Sequence, residues 1–236
     1  MELAAPGLQL KRRKTRDPAM QNATLPCDKL IRCDAASDRR GAVEQAVRDC
    51  FLRVHGAEIR HFHQQLLALE GEGGIDGVIG CSWALPRLFL EIYSDQAIEQ
   101  DLSRRIGLPV RRSEIAEIGN LASSSLGGGR LLVSAMAVFL QAAGFQWCVF
   151  TGTRMVRATL GKFSDEILFL HDAPVSRLGE EERLLWGAYY AHEPQVNAAY
   201  LPAFVRYVRH QGFFIPHPSL EEQARQLGAG MKEPSR

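Results

Sequence analysis

Three groups of residues in this chain have the types and spacing to do chemistry. Glu117 lies in "EIAEIGNLAS", an otherwise apolar run where an unpaired carboxylate is costly. Either it pairs with Arg111, Arg112 or Arg157, or it accepts protons, with burial raising its pKa into a useful range. Just beyond it, Ser124, Ser125, Leu126, Gly127, Gly128, Gly129 and Arg130 open an amphipathic run. Consecutive backbone N–H groups at such a helix start face an anion, and the glycines admit it closely. Arg130 could add a charge-assisted contact to a phosphate, although a glycine-rich turn is also a common plain connection. Between the two, Asn120 could orient a substrate or satisfy backbone groups at a strand bulge. The third group is "WGAYYAHEP", with Trp186, Tyr189, Tyr190, His192 and Glu193 close together, which suits either packing or a pocket wall with a proton shuttle. His61 and His63 lie two apart, but no third ligand has metal-binding spacing, so no metal is expected.

These groups need elements to hold them. A first strand is read at "DKLIRCD". A helix follows over "RGAVEQAVRDCFLRVHG", with Val43, Val47, Cys50, Phe51 and Val54 on its buried face and Gly56 as its stop. "HFHQQLLALE" and "GVIGCSWAL" flank the glycine-rich "GEGGID" and form a hairpin. "QAIEQDLSRRI" is helical, "SEIAEIGNLAS" is a strand, and residues 129–144 form a helix ended by Gly144. "FQWCVF" is apolar on both faces, as a central strand must be. Thr151 and Thr153 stand where it gives way to the helix "TRMVRATLG", so Thr153 suits an N-cap. "DEILFLHD" is a further strand, and "SRLGEEERLLWGAYY" is helical. The aromatic and proline-rich tail after it carries no clear pattern, and the chain from Leu227 is expected to fray.

Composition narrows the function. With 236 residues, 46% hydrophobic content and a formal charge of +1, the chain can bury a large core and shows no overall bias toward nucleic acid. "KRRKTR" at 11–16 lacks the apolar stretch of an export signal. Five cysteines without a CxxC pair suit reduced, buried thiols, and no apolar run is long enough for a transmembrane segment. The expected location is cytoplasmic.

The segments "HFHQQLLAL", "GVIG", "LFLEIYSDQAIEQ", "EIAEIGNLAS", "WCVFTGT" and "WGAYYAHEPQV" together resemble the thermostable hemolysin family. That family is similar to the GNAT fold and, within it, to the acyl-homoserine lactone synthases. The resemblance implies an α/β fold with a GNAT-like mixed central sheet flanked by helices. It divides the chain into a disordered basic tail (1–25), an acyltransferase domain (26–200) and a C-terminal extension (201–236). It implies an N-acyltransferase that takes its acyl group from acyl-CoA or the phosphopantetheine of an acyl carrier protein and gives it to a small amine. Glu117 falls on the synthases' essential acid, with Asn120 beside it as a second catalytic candidate. Leu121, Ala122, the 124–130 loop, Thr151 and Thr153 would contact the donor between two strands that splay at their C-terminal ends. Trp83, Trp186, Tyr189 and Tyr190 would wall the substrate pocket. The chain also departs from the pattern: Ser124 replaces the leading Gln or Arg of the GNAT phosphate loop, the helix after "VFTGT" lacks a tyrosine, and "CSWALPRL" lacks a Tyr-Arg pair. A membrane-active protein and an inactive binding module are the competing readings.

Overall fold

The computed structural model describes residues 27–83, 87–125, 127–161 and 167–231. The N-terminal basic tail and Leu126 lie outside them. The chain begins with β1 (Cys27–Cys33) and α1 (Arg40–His55), which turns off at Gly56 in the left-handed region, φ 63°, its N–H bonded to Leu52 O. The hairpin of β2 (Gln65–Gly71) and β3 (Gly74–Trp83) follows, then a 3-10 turn at Phe89–Tyr93 and α2 (Ile98–Ile106). Next come β4 (Ile115–Ser123), α3 (Gly128–Ala142), β5 (Trp147–Gly152), α4 (Arg154–Gly161), β6 (Ile167–Asp172) and α5 (Glu180–Leu185). The chain closes with β7 (Gln195–Tyr200), α6 (Leu201–His210) and α7 (Pro218–Ala229).

The strands form one seven-stranded sheet in the order β1-β2-β3-β4-β5-β7-β6. β4 and β5 are parallel and every other neighbouring pair is antiparallel. Because side chains alternate along a strand, each sheet face has its own core. Ile79, Cys81, Ala116, Ile118, Cys148 and Phe150 pack under α3, α6 and α7. On the opposite face, Leu66, Ala68 and Val78 meet Val43 and Val47 of α1, while Ile115, Val149 and Val196 meet Ile98 and Leu102 of α2. Leu220 and Ala224 of α7 belong to the same core as α3, so the last two helices are built into the main fold. A Cβ on Gly228 would come within 2.2 Å of Phe139 O, so α7 crosses α3 nearly backbone to backbone.

Several expectations are corrected. "QVNAAY" is a strand, β7, inserted between β5 and β6. Val54 is exposed, because the buried stripe of α1 runs through Val43 and Val47. The helix expected over 176–190 is only Glu180–Leu185, followed by a 3-10 turn at Tyr189–His192. Gly187 breaks it at φ 48°, where a Cβ would strike His55 O at 2.3 Å. Leu227 lies within α7 and packs on the core. Among the described residues, no helix is long and apolar enough to cross a membrane.

Candidate active site

The site forms where the parallel pair comes apart. β4 and β5 are in register from Ile115 with Trp147 to Ile118 with Phe150. Beyond that point each strand follows its outer neighbour: β4 stays on β3 as far as Ser123, and β5 stays on β7 as far as Gly152. A bulge drives the separation, because Asn120 and Leu121 together oppose Ile79 and Asn120 is left-handed at φ 48°. Its side chain stabilises that conformation: Oδ1 accepts the His63 N–H at 2.9 Å, and Nδ2 donates to His61 O at 3.2 Å. Both ends of the amide are thereby engaged with backbone, which is a positioning role.

Glu117, one residue before the last paired position, is buried at 4% exposure. Its Oε2 accepts the Phe89 N–H at 2.8 Å and Oε1 the Leu90 N–H at 3.0 Å, so it caps the 3-10 turn that packs on its own face of the sheet. Burial pushes its carboxyl up to about 7, against the pull of those two N–H groups. The arginines that could have paired with it have other partners. Arg111 meets Glu114, Arg112 forks onto Glu91 and reaches Glu99, and Arg157 bonds Glu193 O and Gly152 O.

Glu117, Ser82 and Gly119 share one sheet face, since Ser82 lies directly opposite Glu117 and Gly119 follows it by two residues. The His63 ring fills the space a side chain at 119 would take: an added Cβ there would lie 2.4 Å from Nε2. Its Nδ1 lies 2.9 Å from Ser82 Oγ, which also accepts the Gln64 N–H at 3.0 Å. Arg40, at the start of α1, donates to His63 O at 2.7 Å and to Gln64 O at 3.3 Å, fixing the segment. Burial and the Arg40 charge lower the His63 pKa to about 4, which leaves the ring neutral near pH 7. His61, by contrast, is exposed and points toward Glu182, so the two histidines do not converge.

The aromatic group reaches the same face through Phe89, whose N–H caps Glu117. The Trp186 ring lies 6.2 Å from that of Phe89 and 4.9 Å from that of Tyr189, both tilted, and meets Tyr190 edge-on at 5.9 Å. The Tyr190 hydroxyl bonds that of Tyr93, and Tyr189 Oη donates to Thr151 O at 3.4 Å. Trp83 is not part of this wall. As the neighbour of Ser82 it points to the opposite face, where it packs 5.8 Å from Phe145.

Past the bulge, Ala122 is buried toward α1 and Leu121 packs on the α3 side. Ser124 is turned away from the helix start, since its N–H and Oγ both donate to Asp76 O at 3.0 Å. Gly127 caps α3 at φ 88°. The close approach is at Gly128, where a Cβ would lie 2.5 Å from both Ser123 Oγ and Ser125 Oγ. Ser125 Oγ is buried with no partner among the described residues. Two hydroxyls and the first turn of α3 therefore meet at one point. Ser123 did not stand out in the sequence because it reads as the last residue of its strand. Arg130 follows in the first turn of α3, its N–H bonded to Gly127 O at 3.1 Å. Thr153 is buried and caps α4, its Oγ1 3.5 Å from the Val156 N and its carbonyl 2.9 Å from the Arg157 N. Thr151 lies level with Gly119 just past the last pair, and its Oγ1 is buried without a partner among the described residues. On the α3 side of the separation, Ile118, Val133, Met136, Cys148, Phe150 and Leu160 line an apolar cavity of about 20 Å³.

Comparison with known proteins bears on the fold. A family model described as thermostable hemolysin matches residues 33–204. FeeM, an N-acyl amino acid synthase from uncultured soil microbes, is similar at TM-score 0.52 and 13% identity, over 75% of this chain and 93% of its own. BjaI, a CoA-dependent acyl-homoserine lactone synthase solved with SAM and isopentyl-CoA, gives TM-score 0.52 and 10% identity, over 84% and 98%. A GNAT family acetyltransferase from Brucella melitensis, solved with acetyl-CoA, gives 0.35 and 16% identity, over 57% and 82%. None of the curated proteins matches. The mixed sheet with helices on both faces is GNAT-like, and at these identities the likeness is one of fold.

Proposed function

The chain belongs to the thermostable hemolysin family, and from that premise we propose that it is an N-acyltransferase, moving an acyl group from a CoA or acyl-carrier-protein thioester to a small amine. The observation that carries this reading is the separation of β4 from β5 between two features: the buried carboxylate of Glu117 and the glycine start of α3. A pantetheine arm laid between the strands would replace the backbone pairing that β4 and β5 give up beyond Ile118 and Phe150. Its phosphates would meet the first turn of α3, with Ser123, Ser125 and Arg130 around it. The acyl group would lie against the apolar cavity behind Ile118 and Phe150, which has room for about one methyl group.

Glu117 is the general base in this reading. A carboxyl poised near 7 is partly ionised at neutral pH, and each oxygen keeps a lone pair beyond the one used by Phe89 or Leu90. It takes the proton that the amine must lose, directly or through water. The Trp186, Tyr189 and Tyr190 wall would hold the acceptor over Phe89, and Asn120 would position the segment carrying His63. Because the donors are metabolites of the cytoplasm, that is the compartment proposed.

The test is acyl transfer by the purified chain, read by mass spectrometry across a panel of acyl-CoA donors and amine acceptors. We expect amide product, and a loss of about 100-fold or more in Glu117→Gln, the scale for a missing general base. A folded Glu117→Gln with normal turnover would remove the base assignment. Lysis of vesicles by wild-type protein, with no acyl transfer and no pantetheine binding, would replace the reading with a membrane-active one.

A further inference from the structure

We infer that His63 is the hydrogen-bond donor to the reacting carbonyl oxygen, acting through Nε2, with Ser82 setting its tautomer. The inference rests on the acyl-transfer reading above and adds a second working group to it. Three observations carry it. First, Nε2 lies directly over Gly119, the first residue of β4 beyond the last pair with β5, on the face that carries Glu117. Any side chain at 119 would occupy that position, and so would close the approach to the imidazole.

Second, the hydrogen bonds around Ser82 favour one place for the imidazole proton, because among the described residues the buried Ser82 hydroxyl has no acceptor for its own proton other than His63 Nδ1. Ser82 Oγ receives the Gln64 N–H, and its own proton has His63 Nδ1 within 2.9 Å as acceptor. A neutral imidazole that accepts at Nδ1 carries its proton on Nε2. The ring is kept neutral by burial and by Arg40, whose guanidinium holds the backbone of 63 and 64. A neutral imidazole can donate to a developing oxyanion without giving up its proton, whereas a charged one would tend to protonate the attacking amine. Third, Thr151 stands level with Gly119 on the facing strand, and its hydroxyl is buried with no partner among the described residues. A buried hydroxyl left unpaired across the gap between the strands from that N–H marks a place for an acceptor atom.

The step balances as follows. The amine nitrogen attacks the thioester carbon, forming C–N while the carbonyl π pair moves onto oxygen, where His63 Nε2–H and Thr151 Oγ–H bond it. Glu117 takes one amine proton. The oxygen lone pair reforms C=O as C–S breaks, and the thiolate receives that proton, giving amide and free thiol.

Two independent readouts test the inference. Nitrogen-15 NMR of the histidine rings in the whole chain should show His63 as the neutral Nε2–H tautomer from pH 5.5 to 8. Its Nε2 signal should move when the methyl-ketone analogue of acetyl-CoA, which has a carbonyl but no leaving thiolate, is added. In turnover, His63→Leu should lower kcat about 100- to 1,000-fold with unchanged CoA affinity, the scale for one lost oxyanion donor. His63→Gln should recover part of the loss through its amide N–H. Ser82→Ala, which frees the tautomer without removing the ring, should lower kcat less than His63→Leu. An Nδ1–H tautomer, a signal indifferent to bound ketone, or kcat within twofold of wild type in folded His63→Leu overturns it. If His63→Leu does not fold, the NMR readout and Ser82→Ala decide. Absent transfer by the wild type would count against the acyltransferase reading, while the ketone titration still reports on His63.

Discussion

Two buried carboxylates serve the same 3-10 turn from opposite ends of its chemistry. Glu91, at 5% exposure, accepts the Leu88 N–H at 2.6 Å and the Ile98 N–H at 2.8 Å. Glu117, at 4%, accepts the next two, Phe89 and Leu90. Residue type, surface exposure and the number of backbone donors are matched, but Glu117 lies much deeper under the protein than Glu91, and their acidities move in opposite directions. Burial opposes ionisation of Glu91, but the fork of Arg112, at 2.7 and 2.8 Å, together with its backbone donors, holds it below the ordinary value. Glu117 has no such fork, and burial pushes it up to about 7. The guanidinium, together with the shallower setting of Glu91, separates a charged strut from a group that can exchange a proton near neutral pH.

Removing the fork should break the contrast with the largest effect. Arg112→Met leaves Glu91 buried and uncompensated, which typically destabilises by about 3–5 kcal/mol. The carboxyl of Glu91 should then titrate upward, toward the behaviour of Glu117. Chemical denaturation measures the first effect and carboxyl carbon-13 NMR the second. A variant as stable as wild type, with Glu91 still ionised at pH 5, would show that the backbone donors alone are sufficient.

The next effect in size is the pH dependence that Glu117 gives the fold. Its folded-state pKa lies above the unfolded 4.5, so its stabilisation is fully present below 4.5 and is lost as pH rises to about 7. Relative to Glu117→Gln, wild-type stability should fall by about 3 kcal/mol across that window, 2.5 units at 1.36 kcal/mol each. Glu91 has the opposite sign: its contribution is present above the unfolded pKa and is lost as pH falls through its depressed folded value. Parallel denaturation curves for wild type and Glu117→Gln from pH 4.5 to 7.5 would show that Glu117 is not perturbed.

This contrast was only half legible in the sequence. Glu117 announces itself as one carboxylate in an apolar strand, and the glycines after it mark the start of α3. Glu91 does not, because "LFLEIYS" has neither helical nor alternating spacing, and its partner Arg112 lies 21 positions away. His63 was visible as a residue type but not as part of the site, since only folding lays its ring on Gly119. Trp83 was grouped with the wrong aromatics because its face is set by a register that only the β3–β4 pairing defines. β7 was missed for a related reason. Gln195–Tyr200 has small Ala and Asn residues in place of the branched ones that mark strands, and it is held as a strand by pairing on both sides with β5 and β6. The bulge at Asn120 gave a partial signal, since asparagine is among the residues that tolerate the left-handed region.

The smallest expected effect tests whether the contrast belongs to the fork or to the local density of charge. Arg112 also meets Glu99 at 2.8 Å, on a side chain about a quarter exposed, where solvent screens the pair. If net negative charge around the turn set the acidity of Glu91 and Glu117, Glu99→Gln would lower both, since it removes one carboxylate from their surroundings. If the fork sets it, Glu99→Gln leaves Arg112 on Glu91 with both short contacts intact, and the two carboxyls keep their order. We expect the second outcome, with a stability change under about 1 kcal/mol and carboxyl titrations that overlay those of wild type. A fall in the Glu117 midpoint toward 4.5 in Glu99→Gln would shift the explanation from a single guanidinium to the charge of the whole turn. It would also mean that the base could be tuned from the surface.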